Sequence, residues 1–248
     1  MLWYDFVVAC TLLSRLPTPI LPDAAFARQA RAAWAFPLVG GGVAALAGAI
    51  GWGLLCLGLP LMAVAGIVLA VQIVATGAMH EDGLADTVDG FWGGWTPEQR
   101  LQIMRDSHIG TYGVLVLVAS FALRLAALTS LMAAGWLWAP LIAAAAMSRA
   151  GLPMLMTALP HARADGLSYR VGAPGQAVST IAIGLGIGIG VLVLGIVALI
   201  PGLLAAAVVA GLAVLALVRI RGQTGDVLGA SQQVAEIVIL LTLAALLT

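Results

Sequence analysis

Residues 176–218 read QAVSTIAIGLGIGIGVLVLGIVALIPGLLAAAVVAGLAVLALV, a run without a single charged side chain. An α-helix crosses a hydrocarbon core of about 30 Å with about 20 residues, so the run predicts two crossings, 176–199 and 201–218, parted at Ile200-Pro201. The same window moved outward predicts further crossings at about 34–58, 61–80, 113–134, 136–158 and 233–248. The predicted fold is all-α: a polytopic membrane helix bundle of about seven transmembrane helices plus short interfacial helices, with residues 1–248 forming a single integral membrane domain in the lipid bilayer. Residues 2–16 are apolar but interrupted by Asp5, Ser14 and Arg15, the pattern of a helix lying in the interface. No small-residue cleavage pattern follows, so this stretch is not read as a removable signal peptide.

Composition agrees. Hydrophobic residues make up 62% of the chain and charged residues 9%, against roughly 45–50% apolar in a soluble domain. The 11 basic and 11 acidic residues cancel, which leaves no basic field to attract nucleic acid. Cys10 and Cys56 sit far apart in apolar runs and read as packing residues. The predicted crossings are joined alternately by short apolar turns and by longer polar segments, 80–112, 159–175 and 219–232. Arg15, Arg28, Arg31, Arg100, Arg105, Arg163, Arg170, Arg219 and Arg221 then share one side, which the positive-inside rule makes cytoplasmic. Arg124, Arg149 and Glu236 fall within crossings and are expected to face the bundle interior, a water-filled cavity or an opposite charge. The glycines of GLGIGIG are expected to bring the fifth crossing close to a neighbour.

Charge is densest in residues 77–113, GAMHEDGLADTVDGFWGGWTPEQRLQIMRDSHIGTYG, read as an acidic catalytic loop on the cytoplasmic face. At 100° per residue, Asp82, Asp86 and Asp89 fall within a sector of about 60° at the mouth of the second crossing. Like charges stacked on a helix repel, and a divalent cation relieves them. An all-oxygen donor set favours Mg²⁺ or Mn²⁺, which in turn favours a phosphate-bearing substrate. Thr96-Pro97-Glu98-Gln99 carries an N-cap residue, a first-turn proline and a capping-box glutamine, predicting a short helix from Pro97 to about Ser107. Its end would carry Asp106 to the metal and Arg105 to a phosphate. Arg163, Asp165, Arg170, Arg219, Arg221 and Asp226 could form a rim around this site.

Three segments together resemble one family. They are His80-Glu81-Asp82-Gly83-Leu84-Ala85-Asp86-Thr87-Val88-Asp89-Gly90, Met104-Arg105-Asp106-Ser107-His108-Ile109-Gly110-Thr111-Tyr112-Gly113, and Thr224-Gly225-Asp226-Val227-Leu228-Gly229-Ala230. With Ser14-Arg15-Leu16-Pro17 and Ala162-Arg163-Ala164-Asp165-Gly166-Leu167, they are similar, in the same order, to the cobalamin synthases, the adenosylcobinamide-GDP ribazoletransferases of bacteria. The resemblance implies a Mg²⁺-dependent, multi-pass enzyme of the bacterial inner (cytoplasmic) membrane with its active site on the cytoplasmic side. It would join α-ribazole or its 5′-phosphate to adenosylcobinamide-GDP and release GMP. Asp82, Asp86, Asp89 and Asp106 would hold the metal, and Asp89, with Asp86, would act on the nucleophile. Arg105, Ser107, Arg163, Asp226 and Arg15 would meet the substrates. Glu81 and His108 are the two positions expected to vary. A homo-oligomer is compatible with the sequence.

Two rival readings remain at this point. CDP-alcohol phosphotransferases also carry a DG-x₂-A run with spaced aspartates, but with Arg after the Ala, where this chain has Asp86. In a transporter, Arg124, Arg149 and Glu236 would line the path; transporters, however, keep their polar residues near the midplane in repeated halves.

Overall fold

The computed structural model describes all 248 residues. The chain is helical throughout: α1 (Leu2–Leu13), α2 (Asp23–Phe26), α3 (Gln29–Ala32), α4 (Phe36–Cys56), α5 (Leu61–Thr76), α6 (Met79–Gly93), α7 (Pro97–Ile103), α8 (Thr111–Ala133), α9 (Trp138–Ala150), α10 (Leu152–Ala158), α11 (Gly166–Val171), α12 (Gln176–Leu194), α13 (Leu199–Ile220) and α14 (Gly225–Leu247). The all-α membrane bundle read from the sequence is the observed architecture.

By length and apolarity five helices can cross a membrane, or six with the bent pair α5–α6. One of the five, Gln176–Ile220, is 45 residues long, which would be about 68 Å as one straight helix and twice the hydrocarbon thickness. The stretch is in fact folded back. Gly195 has φ +66, and Gly190 of α12 and Gly202 of α13 both abut the thioether of Met147, although a straight helix would hold them about 18 Å apart. Parted there, the apolar crossings are α4, α8, α9–α10, α12, α13 and α14, with α5 the seventh when the bent pair α5–α6 is one span. Their outer faces carry large apolar side chains such as Leu192, Leu203 and Val218, which suits lipid and not water.

The predicted boundaries shift at three places. The second crossing stops at Thr76, not at residue 80, because Gly77 (φ +65) and Ala78 (φ +57) are both left-handed and turn the chain through 87° into α6. The last crossing begins at Gly225, not at residue 233, with the Thr224 hydroxyl accepting the Val227 N–H; its polar residues are buried inside the bundle instead of trailing as a loop. The helix after Thr96 has the predicted capping box but ends at Ile103. α1 is tied to the segment that follows it: Asp5 is buried and accepts two hydrogen bonds from the Arg28 guanidinium, at 2.8 and 3.0 Å.

The larger core joins α4, α5, α8, α9 and α14 through small and branched side chains, among them Ala47, Leu69, Leu131, Ala144 and Leu243. Gly186 and Gly190 let α12 lie directly on Ala150 and Met147, as the glycine pattern predicts. The polar segments meet at one end of the bundle. The Arg15 N–H donates to Ala75 O at 2.7 Å, Ala162 N–H to Gln223 O at 2.9 Å, and Gln223 N–H to Pro160 O at 2.8 Å. Arg100 donates from Nη1 to Arg219 O at 3.0 Å.

Candidate active site

Residues 77–113 are two helices and their links, not an extended loop. α6 carries Glu81, Asp82, Asp86 and Asp89 and is not itself a crossing. It lies against the start of α14 through two glycines: a Cβ on Gly83 would stand 2.8 Å from Asp226 O, and one on Gly229 would stand 3.2 Å from Met79 O. This close approach sets Asp226 beside the α6 stripe. Asp82 is exposed and Asp86 half-buried. Burial, then the charges of Asp82, Asp226 and Asp89, push the Asp86 carboxyl up to about 7. The crowding anticipated along the stripe is therefore present, with Asp226 as an added member.

Asp89 and Asp106 do not join it in the expected way. Asp89 is buried, and its two oxygens accept the Gly110 N–H at 2.7 Å and the Gly113 N–H at 2.9 Å. It thus closes the N-terminus of α8, where a carboxylate is favoured by the helix dipole and the free N–H groups. A side chain at Gly110 or Gly113 would collide with it. Asp106 is exposed beyond α7 and lies 2.7 Å from His108 Nδ1, a bond that holds its carboxyl below the usual range. No three carboxylates converge on a single point.

The arginine rim is a chain of ion pairs. Arg105 Nη2 lies 2.8 Å from Asp165 Oδ2, Arg163 Nε 3.3 Å from Asp165 Oδ1, and Arg163 Nη2 3.2 Å from Asp226 Oδ2. The Thr224 hydroxyl donates to the same Asp226 oxygen at 3.1 Å. Arg163 and Asp226 thus stand together beside the stripe, with Arg105 one ion pair further out. Ser107 is exposed next to Asp106, and Arg15 covers the elbow at Gly77.

Deeper in the bundle, Arg124 Nη1 lies 3.2 Å from Glu81 Oε1 and 3.7 Å from Glu236 Oε1, while Arg149 Nη1 lies 3.6 Å from Glu236 Oε2. Gln233 donates to Glu81 Oε1 at 3.1 Å, and Gln232 donates to Glu236 Oε2 and to Ser148. The three charged residues placed inside crossings by the sequence all face inward, as expected, and all are buried.

A family model described as CobS, cobalamin-5-phosphate synthase, matches residues 5–244. The chain belongs to the cobalamin-5-phosphate synthase family. The curated adenosylcobinamide-GDP ribazoletransferase of Bradyrhizobium diazoefficiens is 45% identical over 244 residues, covering 97% of this chain and 93% of that one. The proteins of the same name from Azorhizobium caulinodans and a Sinorhizobium species are 42% identical over 254 residues (96% and 94% covered) and 39% identical over 255 residues (97% and 95% covered). No solved structure matches.

Membership of this synthase family accounts for the three motifs as a set and sets aside the phosphotransferase and transporter readings. The residue that sequence reasoning undervalued is Glu81. At 100° per residue it faces well away from the Asp82–Asp86 stripe, and that offset from its neighbours was the one signal that it serves a different surface.

Proposed function

We propose that this chain joins α-ribazole, or its 5′-phosphate, to adenosylcobinamide-GDP with release of GMP, as a Mg²⁺-dependent transferase of cobalamin biosynthesis. The bacterial inner membrane holds it, with the stripe at the cytoplasmic face. The observation that carries the chemistry is the juxtaposition of an acidic stripe, Asp82 and Asp86, with Asp226 at the start of α14 and its ion-pair partner Arg163 from the segment before α11.

The donor set fits Mg²⁺ held through two carboxylates, not the four-aspartate shell of the sequence reading. Asp82 and Asp86, one turn apart, offer only hard oxygen donors, and burial together with the neighbouring like charges hinders the ionisation of Asp86. Mg²⁺ commonly takes one or two carboxylates and completes its shell with water and phosphate oxygens. Bound there, it would polarise the attacked phosphoryl group and offset charge on the departing GMP. Arg163 and Arg105 would hold the diphosphate by exchanging their carboxylate partners for phosphate oxygens. The 5′-oxygen of ribazole attacks the phosphorus next to the cobinamide, and the bond from that phosphorus to the oxygen of GMP breaks. When the acceptor is the free alcohol, its proton goes to Asp226. Asp89 is less suited to that task, because both of its oxygens are already engaged by the N–H groups of Gly110 and Gly113.

Incubation of the purified chain with adenosylcobinamide-GDP, α-ribazole and Mg²⁺ should release GMP and yield adenosylcobalamin. Absence of GMP with folded protein at saturating substrate would reject the reading.

A further inference from the structure

We infer that Glu81, through Arg124, is a positioning residue: it fixes the rotation of α6 and thereby where Asp82 and Asp86 point. This rests on the reading of those two aspartates as a cation site.

His80, Leu84 and Ala85 are buried beside Glu81 and help to seat that end of α6, but Glu81 supplies its charged, directional tie. The elbow that leads into it is two successive left-handed residues, Gly77 and Ala78, so the direction of α5 is not carried over as a continuous helix would carry it. At its closest approach to α14 the contact is glycine on glycine, Gly83 against Gly229. Two polar fastenings of α6 reach α8, one near each end. Glu81 meets Arg124, and Asp89 meets the N–H groups of Gly110 and Gly113. They lie eight residues apart, about 12 Å along the axis, and α6 and α8 run in opposite directions between them. The working aspartates fall between the two fastenings, and Asp82 adjoins Glu81 directly.

The deep fastening is firm for a reason beyond one ion pair. Glu81 Oε1 accepts from Arg124 and from Gln233, so it ties α6 to both α8 and α14. Arg124 also reaches Glu236, and Glu236 reaches Arg149 of α9. Two positive and two negative side chains, all buried, thus join four helices. Buried ion pairs are weak sources of stability, because desolvation offsets their attraction; their best-attested use is to fix register. A network of this kind beside the acidic stripe suits a device that sets geometry.

The test uses full-length protein in detergent, with two readouts besides turnover: Mn²⁺ affinity, followed by the loss of the free-Mn²⁺ electron paramagnetic resonance signal, and the thermal midpoint. Glu81→Gln is expected to weaken Mn²⁺ binding about tenfold and to slow GMP release 10- to 100-fold, the range seen when groups supporting metal ligands are removed. Glu81→Asp is expected to fall between it and the parent. Arg124→Gln added to Glu81→Gln should cost little more Mn²⁺ affinity than Glu81→Gln alone, because the two act as one unit. If Glu81→Gln does not accumulate, Glu81→Asp decides: weaker Mn²⁺ binding at an unchanged midpoint supports the inference. Parent-like Mn²⁺ affinity in either variant overturns it, as does a parent protein that binds no Mn²⁺. A parent that binds Mn²⁺ in a Glu81-dependent way yet releases no GMP would keep the inference and reject the proposed reaction.

Discussion

The two ends of α6 use the same kind of side chain in opposite ways. Glu81 is buried, shares a guanidinium and an amide, and belongs to a closed set of four charges. Asp82, the very next residue, is exposed, and Asp86 a turn later is half-buried among like charges. A carboxylate with its charge already matched has little left for a ligand, whereas one that is crowded and unmatched is a place for a cation. Asp89 repeats the first pattern at the other end, matched by backbone N–H groups instead of arginine. Four acids within nine residues are therefore two pairs: one is matched by partners within the fold, and the other, unmatched, is the pair proposed to hold the cation.

The largest expected effect breaks the unmatched pair. Asp82→Asn and Asp86→Asn should each lower GMP release by more than about a hundredfold, beyond the 10- to 100-fold cost of losing a group that merely supports a metal ligand. Membrane insertion and thermal midpoint should stay close to the parent, since neither aspartate satisfies a buried donor. Turnover retained in saturating Mg²⁺ would merge the two pairs again.

Next comes the matched set. Arg124→Leu leaves Glu81 and part of Glu236 buried without a counter-charge, a change that typically costs about 3–5 kcal/mol. The thermal midpoint in detergent should fall well below that of Asp82→Asn. A midpoint equal to the parent would show that the network is hydrated and loose.

This division explains what the sequence could and could not reveal. The crossings were legible because charge-free runs of fixed length have few other uses in a chain so apolar. The inward turn of Arg124, Arg149 and Glu236 was legible for the same reason, since lipid penalises any other orientation. The stripe followed from helical spacing alone. The elbow was not legible: Gly77-Ala78 reads as ordinary small residues, and only their left-handed backbone parts α5 from α6. The hydrogen bonds of Asp89 were not legible either, because its partners are backbone groups 21 and 24 residues away, which leave no trace in side-chain pattern. Asp226 joined the stripe only through a glycine crossing between segments far apart in the chain.

A smaller effect separates arginines that share a face of the membrane. Arg163 is largely buried and paired with Asp226, while Arg170 is exposed at the end of α11. Charge-assisted hydrogen bonds to a charged group are worth about 1.5–3 kcal/mol, so Arg163→Ala should raise the KM for adenosylcobinamide-GDP by about 10- to 100-fold. Arg170→Ala should leave KM within about twofold, as is usual for a solvated surface side chain. Equal effects would reduce the rim to a consequence of membrane topology.

The smallest expected effect is the most exacting check on the two-pair division, because it concerns an acid that sequence motif alone would place with the metal. Asp106 is exposed, its bonded partner is the equally exposed His108, and it is absent from the charges that act on Asp86. Asp106→Asn removes a charge without uncovering a buried donor, and exposed pairs of this kind contribute about 0–1 kcal/mol. GMP release and its Mg²⁺ requirement should both stay within about threefold of the parent, a shift below about 1 kcal/mol. A hundredfold loss would mean that α7 swings inward when substrate binds and brings Asp106 to the cation. The unmatched set would then number three carboxylates, two from α6 and one from the end of the α7 segment.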